Sequence, residues 1–142
     1  MASLSRPGIG RSPTPVGPPR PPTVLVVEDE DNLRAVIRRL LQGEGYGILE
    51  AGNGASALKV LEMPDHNVEL VLTDLRMPVM DGRQLAAALA RLHPSLPIVF
   101  MSGFTTQLMD MRLVSPHLPF LAKPFQNDDL VATVKGQLER GV

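Results

Sequence analysis

The sequence contains no cysteine. This absence excludes disulfide bridges, thiolate metal sites and thiol nucleophiles, so no redox chemistry is expected. The sequence also lacks any apolar run close to the roughly 20 residues that a membrane-spanning helix needs, and its N-terminus has no apolar core of the signal-peptide type. The sequence therefore predicts a soluble, cytoplasmic protein, and we expect this segment to make no contact with a membrane.

Clusters of lysine and arginine are also missing, and so is the interleaving of basic and aromatic residues that many nucleic-acid-binding proteins show. The formal net charge is -1. Three arginines lie in residues 1–22 without acidic neighbours, which leaves 11 basic against 15 acidic groups in the remainder. A mildly acidic folded part without basic clusters predicts no nucleic-acid partner.

The first 22 residues differ in composition from the rest of the chain. They hold seven of the fourteen prolines and few large apolar residues, so no core could offset the entropy cost of ordering them. We interpret residues 1–22 as a disordered Pro-rich linker or a cloning remnant, with a polyproline ligand for an SH3-like partner as the less favoured alternative. Residues 23–142 are enough for one compact domain, which we expect to be monomeric.

From Thr23 onward, short β-branched runs alternate with segments of helical period. The predicted strands are Val24–Val27, Gly47–Ala51, Val68–Thr73, Pro97–Met101 and Leu118–Ala122. Apolar positions at helical spacing follow each strand, least regularly in residues 104–114. Five such units predict an α/β fold: a five-stranded parallel sheet with helices on both faces, because parallel neighbours need crossover connections.

Polar side chains stand where four of the five predicted strands end. They are Glu28 and Asp29 after the first strand, Asp74 after the third, Ser102 after the fourth and Lys123 after the fifth. The second strand supplies only Glu50, which stands apart. Because ligand sites in open α/β sheets lie beyond the carboxyl ends of the strands, we expect the other five residues to converge.

The residue types at this edge indicate phosphoryl transfer. Three carboxylates held close together raise one another's pKa unless a cation lies among them. Oxygen-only ligands favour Mg²⁺ over zinc or copper, and an incomplete protein shell leaves room for waters and a substrate oxygen. Asp74 is then the natural nucleophile, while Lys123 would neutralise one phosphoryl oxygen and Ser102 would hydrogen-bond another.

Each of these residues also has a purely structural interpretation. Acids at a helix start complement the helix dipole. Asp74 could cap a turn, Ser102 could begin a loop, and Lys123 could be a solvated charge before a proline. Their joint position at the strand ends is what favours a site.

Four segments resemble the receiver domain of bacterial response regulators, over residues 23–140. VLVVEDE is similar to the family's acidic-pair strand, LVLTDLRMPVMDG to its phosphoacceptor strand and loop, FMSG to its hydroxyl-bearing strand and FLAKPF to its lysine strand. All four occur in the family's order and spacing. The resemblance implies a flavodoxin-like sheet with strand order 2-1-3-4-5.

The same resemblance implies a role for each matching residue. Asp74 would accept the phosphoryl group, and Asp29 and Asp74 would hold Mg²⁺ together with the backbone carbonyl of Arg76. Glu28 would act through water or as an outer ligand, and Lys123 would bind the phosphoryl oxygens together with the hydroxyl at position 102.

Three further features follow from the resemblance. Ser102 and Phe120 match the family's switch positions, so signalling would be a population shift between two arrangements. The Lys123–Pro124 bond is similar to one that is cis in the family. Arg76 and Phe104 occupy places that screen the attacking water in relatives, and we expect their bulk to slow dephosphorylation.

The FMSG segment, the absence of the usual Gly-Ala segment before the fifth strand and the Pro-rich linker are similar to the C-terminal receivers of hybrid histidine kinases. The implied partners are a histidine kinase domain, a histidine phosphotransfer protein or both. A stand-alone single-domain response regulator is the alternative. The domain would show self-phosphorylation and self-dephosphorylation, which leaves its classification as an enzyme open, and the parent chain would be a histidine kinase.

Two other functions compete with this interpretation. Asp29 and Asp31 imitate the DxD motif of haloacid-dehalogenase-like phosphohydrolases, which would make Asp29 the nucleophile. The chain lacks the Thr or Val that this family places after the second Asp, and it is short for the family's cap. A docking module without phosphorylation would not need Asp29, Asp74, Ser102 and Lys123 together.

Overall fold

Strands and helices alternate along residues 21–103 and 119–140, the part of the chain that the computed structural model describes. In chain order the elements are β1 (Thr23–Val27), α1 (Asp31–Gly43), β2 (Gly47–Ala51), α2 (Gly54–Leu61), β3 (Val68–Asp74), α3 (Gly82–Leu92), β4 (Ile98–Ser102), β5 (Phe120–Ala122) and α4 (Asn127–Arg140). The helix expected within residues 104–114 and nearly all of the expected linker lie outside the described residues.

The five strands form one parallel sheet in the order β2-β1-β3-β4-β5. This confirms the predicted α/β, flavodoxin-like fold. Strand limits differ slightly from the prediction, because β4 runs one residue further to include Ser102 and β5 begins at Phe120. Since β2 and β3 flank β1 on opposite sides, the strand order reverses at β1, and the carboxyl ends of β1 and β3 border the crevice there.

The inner strands β1, β3 and β4 are largely buried on both faces, which explains their long apolar runs. Alternate residues of β1 point to opposite faces. Val24 and Val26 pack in a cluster with α1 and α4, whereas Leu25 and Val27 pack in a cluster with α2 and α3. Full burial of each such side chain contributes about 1.5–3 kcal/mol, and the two layers fix the sheet as a platform for its edge.

A capping box sets the start of α3. The Asp81 carboxylate accepts a hydrogen bond of 2.9 Å from the Gln84 backbone N–H, and the Gln84 side chain accepts one of 3.0 Å from the Asp81 N–H. Two N–H groups that a helix start leaves unpaired are satisfied in this way. The loop from β3 to α3 therefore ends at a defined point next to the carboxyl end of the sheet.

Within residues 21–103 and 119–140, none of the helices has the length and apolar character to cross a lipid bilayer.

Candidate functional site

Three carboxylates meet at the carboxyl ends of β1 and β3. The register pairs Val27 with Thr73, so Glu28 follows β1 beside Asp74 at the end of β3. Glu28, Asp29 and Asp74 each offer an oxygen, and the three oxygens lie within 4.8 Å of one another. Glu28 and Asp74 are buried, with 1% and 7% exposure, whereas Asp29 is exposed.

Lys123 reaches into this acidic cluster from the end of β5. Its Nζ donates to Glu28 Oε1 at 2.8 Å and to Asp74 Oδ2 at 3.0 Å. Its backbone N–H bonds the Ser102 carbonyl at 2.8 Å, which ties the end of β5 to the end of β4. The Lys123–Pro124 peptide is cis, as the family resemblance implies. The cluster thus already contains one cation, whose charge partly offsets the repulsion among the three carboxylates.

Burial and the charge of the partner shift the pKa of each member of the Glu28–Lys123 pair in opposite directions. Burial raises the pKa of Glu28 to about 7, and the Asp74 charge adds to this, while Lys123 and the Glu30 N–H oppose it. Burial lowers the pKa of Lys123, but the hydrogen bonds and charges of Glu28 and Asp74 outweigh it and the net shift is upward. The lysine stays charged, and the ion pair only partly offsets the burial of Glu28.

The chemistry of this cluster fits Mg²⁺. Carboxylates that hold a metal ion must be deprotonated. In that form the three carboxylates would outnumber the one ammonium by two charges, which a divalent cation would balance. The metal ligands that the cluster offers are all carboxylate oxygens, and Mg²⁺ prefers oxygen ligands. Arg76 lies at the same edge in a cleft with Asp29, which is consistent with the predicted contribution of its backbone carbonyl.

Two glycines allow the loop from β3 to α3 to pack closely over the site. A Cβ on Gly82 would overlap the Asp74 carbonyl oxygen and lie 3.0 Å from Leu75 Cα. A Cβ on Gly54 would lie 2.6 Å from Met80 Cγ, and the Gly54 N–H bonds the Met80 carbonyl at 2.9 Å. Neither contact has a signal in the sequence, because both depend on how the folded chain packs at the end of the sheet.

The two predicted switch residues lie on neighbouring strands. Ser102 is buried at the end of β4, where it pairs with Ala122. Phe120 begins β5, is half-buried, and packs against the small cluster of Leu75 and Phe100. Phe104, the second residue expected to slow dephosphorylation, lies outside the described residues.

Comparison with known proteins shows the family to which this fold and this site belong. The sequence pattern of the response regulator receiver domain matches residues 24–135. The chain therefore belongs to the receiver domain family of two-component response regulators, as the four motifs had indicated.

Its relatives include receivers in two settings. The chain is 40% identical over 119 residues to the sensor kinase CckA of Brucella abortus, covering 83% of this chain and 13% of that kinase. It is 34% identical over 116 residues to the response regulator receiver protein CpdR of the same organism, covering 81% of this chain and 95% of that protein. The chain thus spans about an eighth of the kinase but nearly all of the receiver protein CpdR.

Solved structures agree with this assignment. The receiver domain of the hybrid histidine kinase CckA has a TM-score of 0.68 at 34% identity, covering 82% of this chain and 98% of that one. A CheY-like receiver from Methanospirillum hungatei JF-1 has a TM-score of 0.76 at 22% identity, covering 85% and 96%, and supports the fold alone.

Proposed function

We propose that this chain accepts a phosphoryl group on Asp74 in a Mg²⁺-dependent reaction, as the acceptor of a two-component phosphorelay. The observation that supports this most directly is the position of the Asp74 carboxylate, which bonds Lys123 Nζ and lies within 4.8 Å of the acidic pair from β1. A nucleophilic carboxylate, a fixed cation and oxygen ligands for a metal are the groups that phosphoryl transfer needs.

The proposed reaction begins when an Asp74 carboxylate oxygen attacks the phosphorus of a phosphohistidine. The new O–P bond forms, the P–N bond breaks, and the imidazole nitrogen leaves with the electron pair and takes up a proton. Lys123 uses two of its three N–H donors on Glu28 and Asp74 within the described part of the chain, so a third remains for a phosphoryl oxygen. The Ser102 hydroxyl would donate to another oxygen.

The metal ligands proposed are Glu28, Asp29, Asp74 and the backbone carbonyl of Arg76. Bound Mg²⁺ would neutralise the phosphoryl oxygens during transfer. Asp29 is exposed and can turn its carboxylate to an ion. Both Glu28 carboxylate oxygens already accept hydrogen bonds, Oε1 from Lys123 and Oε2 from the Glu30 N–H, which favours an outer role for Glu28 through water.

Receiver domains pair with histidine kinases or with histidine phosphotransfer proteins, and the relatives of this chain include kinases. We infer that the chain is the receiver part of a hybrid histidine kinase, which the 40% identity to the CckA kinase supports. A stand-alone receiver is the second candidate, because the match to CpdR covers nearly all of that protein. A cytoplasmic location, a monomeric state and the absence of a nucleic-acid partner stay predictions.

The output of the domain would pass through Ser102 and Phe120. In the proposed switch, the Ser102 hydroxyl moves toward the phosphoryl group and Phe120 turns inward, which shifts a pre-existing equilibrium between two arrangements. The bulk of Arg76 and Phe104 would screen the aspartyl phosphate from water. An unchanged phosphoryl lifetime in Arg76→Ala and Phe104→Ala variants would refute that screening role.

The proposed function can be tested with phosphoramidate, a small donor whose P–N bond imitates phosphohistidine. Wild type, Asp74→Asn and Asp29→Asn are each incubated with the donor, with and without Mg²⁺, and separated on a phosphate-affinity gel. We expect one shifted band for wild type with Mg²⁺, none for Asp74→Asn, and a strongly reduced one for Asp29→Asn, which keeps the acceptor but loses a metal ligand.

The same experiment separates the competing functions. No shifted band under any condition, in a protein that folds and binds Mg²⁺, would favour the docking module. A band that survives Asp74→Asn and disappears in Asp29→Asn would instead favour the phosphohydrolase interpretation, in which Asp29 is the nucleophile.

A further inference from the structure

An arginine network links the first turn of α1 to the acidic pair. Arg34 donates from Nη1 to the Glu28 backbone carbonyl at 2.7 Å, from Nε to Glu50 Oε1 at 3.1 Å, and from Nη2 to Asp31 Oδ1 at 2.8 Å. Only 20% of the Arg34 side chain is exposed. Three acceptors from three segments fix the plane of the guanidinium group, whose donors have a rigid fork geometry.

The shortest of the three bonds acts on the backbone that carries the acidic pair. The Glu28 carbonyl and the Asp29 nitrogen belong to one planar peptide unit. On its other side, the Glu28 N–H bonds the Ala51 carbonyl of β2 at 3.0 Å. The peptide units on both sides of Glu28 are therefore held, and Arg34 sets the direction in which the chain leaves β1 toward Asp29.

Glu50 holds Arg34 in turn. Its carboxylate also accepts from Arg38 Nη1, at 3.3 Å to Oε1 and 3.1 Å to Oε2. Glu50 lies on β2, in register with Val26 of β1, so it belongs to the rigid sheet. The residue that seemed to stand apart from the site in the sequence is thus connected to it through Arg34.

We propose that Arg34 is a positioning residue for the metal site, which holds Asp29 within reach of Asp74 by fixing the Glu28 carbonyl, and that Glu50 orients Arg34 for this role. The proposal rests on the proposed Mg²⁺-dependent function. The competing explanation is a salt bridge that only stabilises α1. The Arg34–Asp31 part of the network fits that explanation, because Asp31 is largely exposed and exposed pairs contribute little. A salt bridge within α1 does not explain the bond to the Glu28 carbonyl, because that bond joins α1 to the end of β1.

The test compares two arginines that share a partner. Mg²⁺ affinity is measured by titration calorimetry for wild type, Arg34→Gln and Arg38→Gln, with thermal unfolding to check that each variant is folded. Arg38 lies one turn further along α1 and bonds Glu50, and among the residues that the structure describes it makes no bond to the end of β1. Arg34→Gln should weaken Mg²⁺ binding about 10-fold or more, as loss of a residue that orients metal ligands does, while Arg38→Gln should stay close to wild type.

Each outcome decides the proposal. Equal Mg²⁺ affinity in wild type and Arg34→Gln would overturn it and leave the proposed function intact, and so would an equal loss in both arginine variants. A folded wild type that binds no Mg²⁺ would overturn the proposed function and this inference with it. If Arg34→Gln does not fold, Glu50→Leu decides instead, because leucine leaves no acceptor for Arg34 Nε: weaker Mg²⁺ binding supports the proposal, and unchanged binding overturns it.

Discussion

Removal of the Lys123 charge should destabilise the protein in a way that depends on pH. In a Lys123→Met variant the stem keeps a similar length, but the ammonium that bonds Glu28 at 2.8 Å and Asp74 at 3.0 Å is lost. Breaking a buried ion pair costs about 3–5 kcal/mol. Because 22% of the Lys123 side chain is exposed, we take the lower end, about 3 kcal/mol at pH 8 and low ionic strength.

The sign of the pH dependence follows from Glu28. Its folded-state pKa is raised from 4.5 to about 7, so its protonated form favours folding below pH 4.5, and that contribution is lost as the pH rises to about 7. Without Lys123 the folded-state pKa rises further, because two influences that lowered it are gone. At pH 5 Glu28 is protonated in both folded proteins, so the loss of stability should shrink to about 1 kcal/mol there.

Urea unfolding at pH 5 and pH 8, without Mg²⁺, measures this difference. Lys135→Met is the matched control, because Lys135 is an exposed lysine of α4 and its loss should have little effect at either pH. The double variant Glu28→Gln, Lys123→Met should recover most of the loss at pH 8, since it removes one of the two repelling charges. A loss of equal size at both pH values would refute the reasoning.

The remaining predictions concern the loop over the site and its metal. Gly82→Ala should destabilise the protein by about 1–3 kcal/mol in urea unfolding and weaken Mg²⁺ binding, because its Cβ would overlap the Asp74 carbonyl. Val79→Gly should stabilise it by about 0.5–1 kcal/mol, since exposed Val79 has a left-handed φ of 68°. Mg²⁺ affinity should fall from pH 8 to pH 6, because Glu28 with its pKa raised to about 7 takes up a proton that competes with the metal.

Each of these three would be contradicted by a plain result. For Gly82→Ala it is unchanged stability with unchanged Mg²⁺ affinity, and for Val79→Gly it is a loss of stability. For the metal it is an affinity that does not vary with pH, or calorimetry in buffers of different ionisation enthalpy that detects no proton release on binding.

The sheet and the acidic cluster could be predicted because both depend on local pattern. Apolar runs showed where strands lie, and a polar residue after four of the five runs marked the carboxyl end of the strand. In a parallel sheet those ends share one edge. That rule brought Glu28, Asp29, Asp74 and Lys123 together without any knowledge of side-chain positions.

Other parts of the site depend on distances that the pattern does not contain. The reach of Lys123 past the ends of β4 and β3 to Glu28, and the contact of Gly54 with Met80, follow from how the elements pack. The Arg34 network had a weak sequence signal, an arginine three residues after Asp31 in a predicted helix. That spacing predicts an exposed pair within α1, but it gives no hint that the same side chain bonds the end of β1.

The identity of the phosphoacceptor is the central claim, and reductive trapping tests it most directly. Protein treated with an acyl phosphate and Mg²⁺ is reduced with borohydride, which converts an aspartyl phosphate to homoserine, and the modified residue is located by peptide mass spectrometry. The account predicts homoserine at position 74 alone, and none when Mg²⁺ is removed by chelation. Homoserine at position 29 would contradict the account. So would the absence of homoserine at every position, in protein that intact mass shows to carry a phosphoryl group.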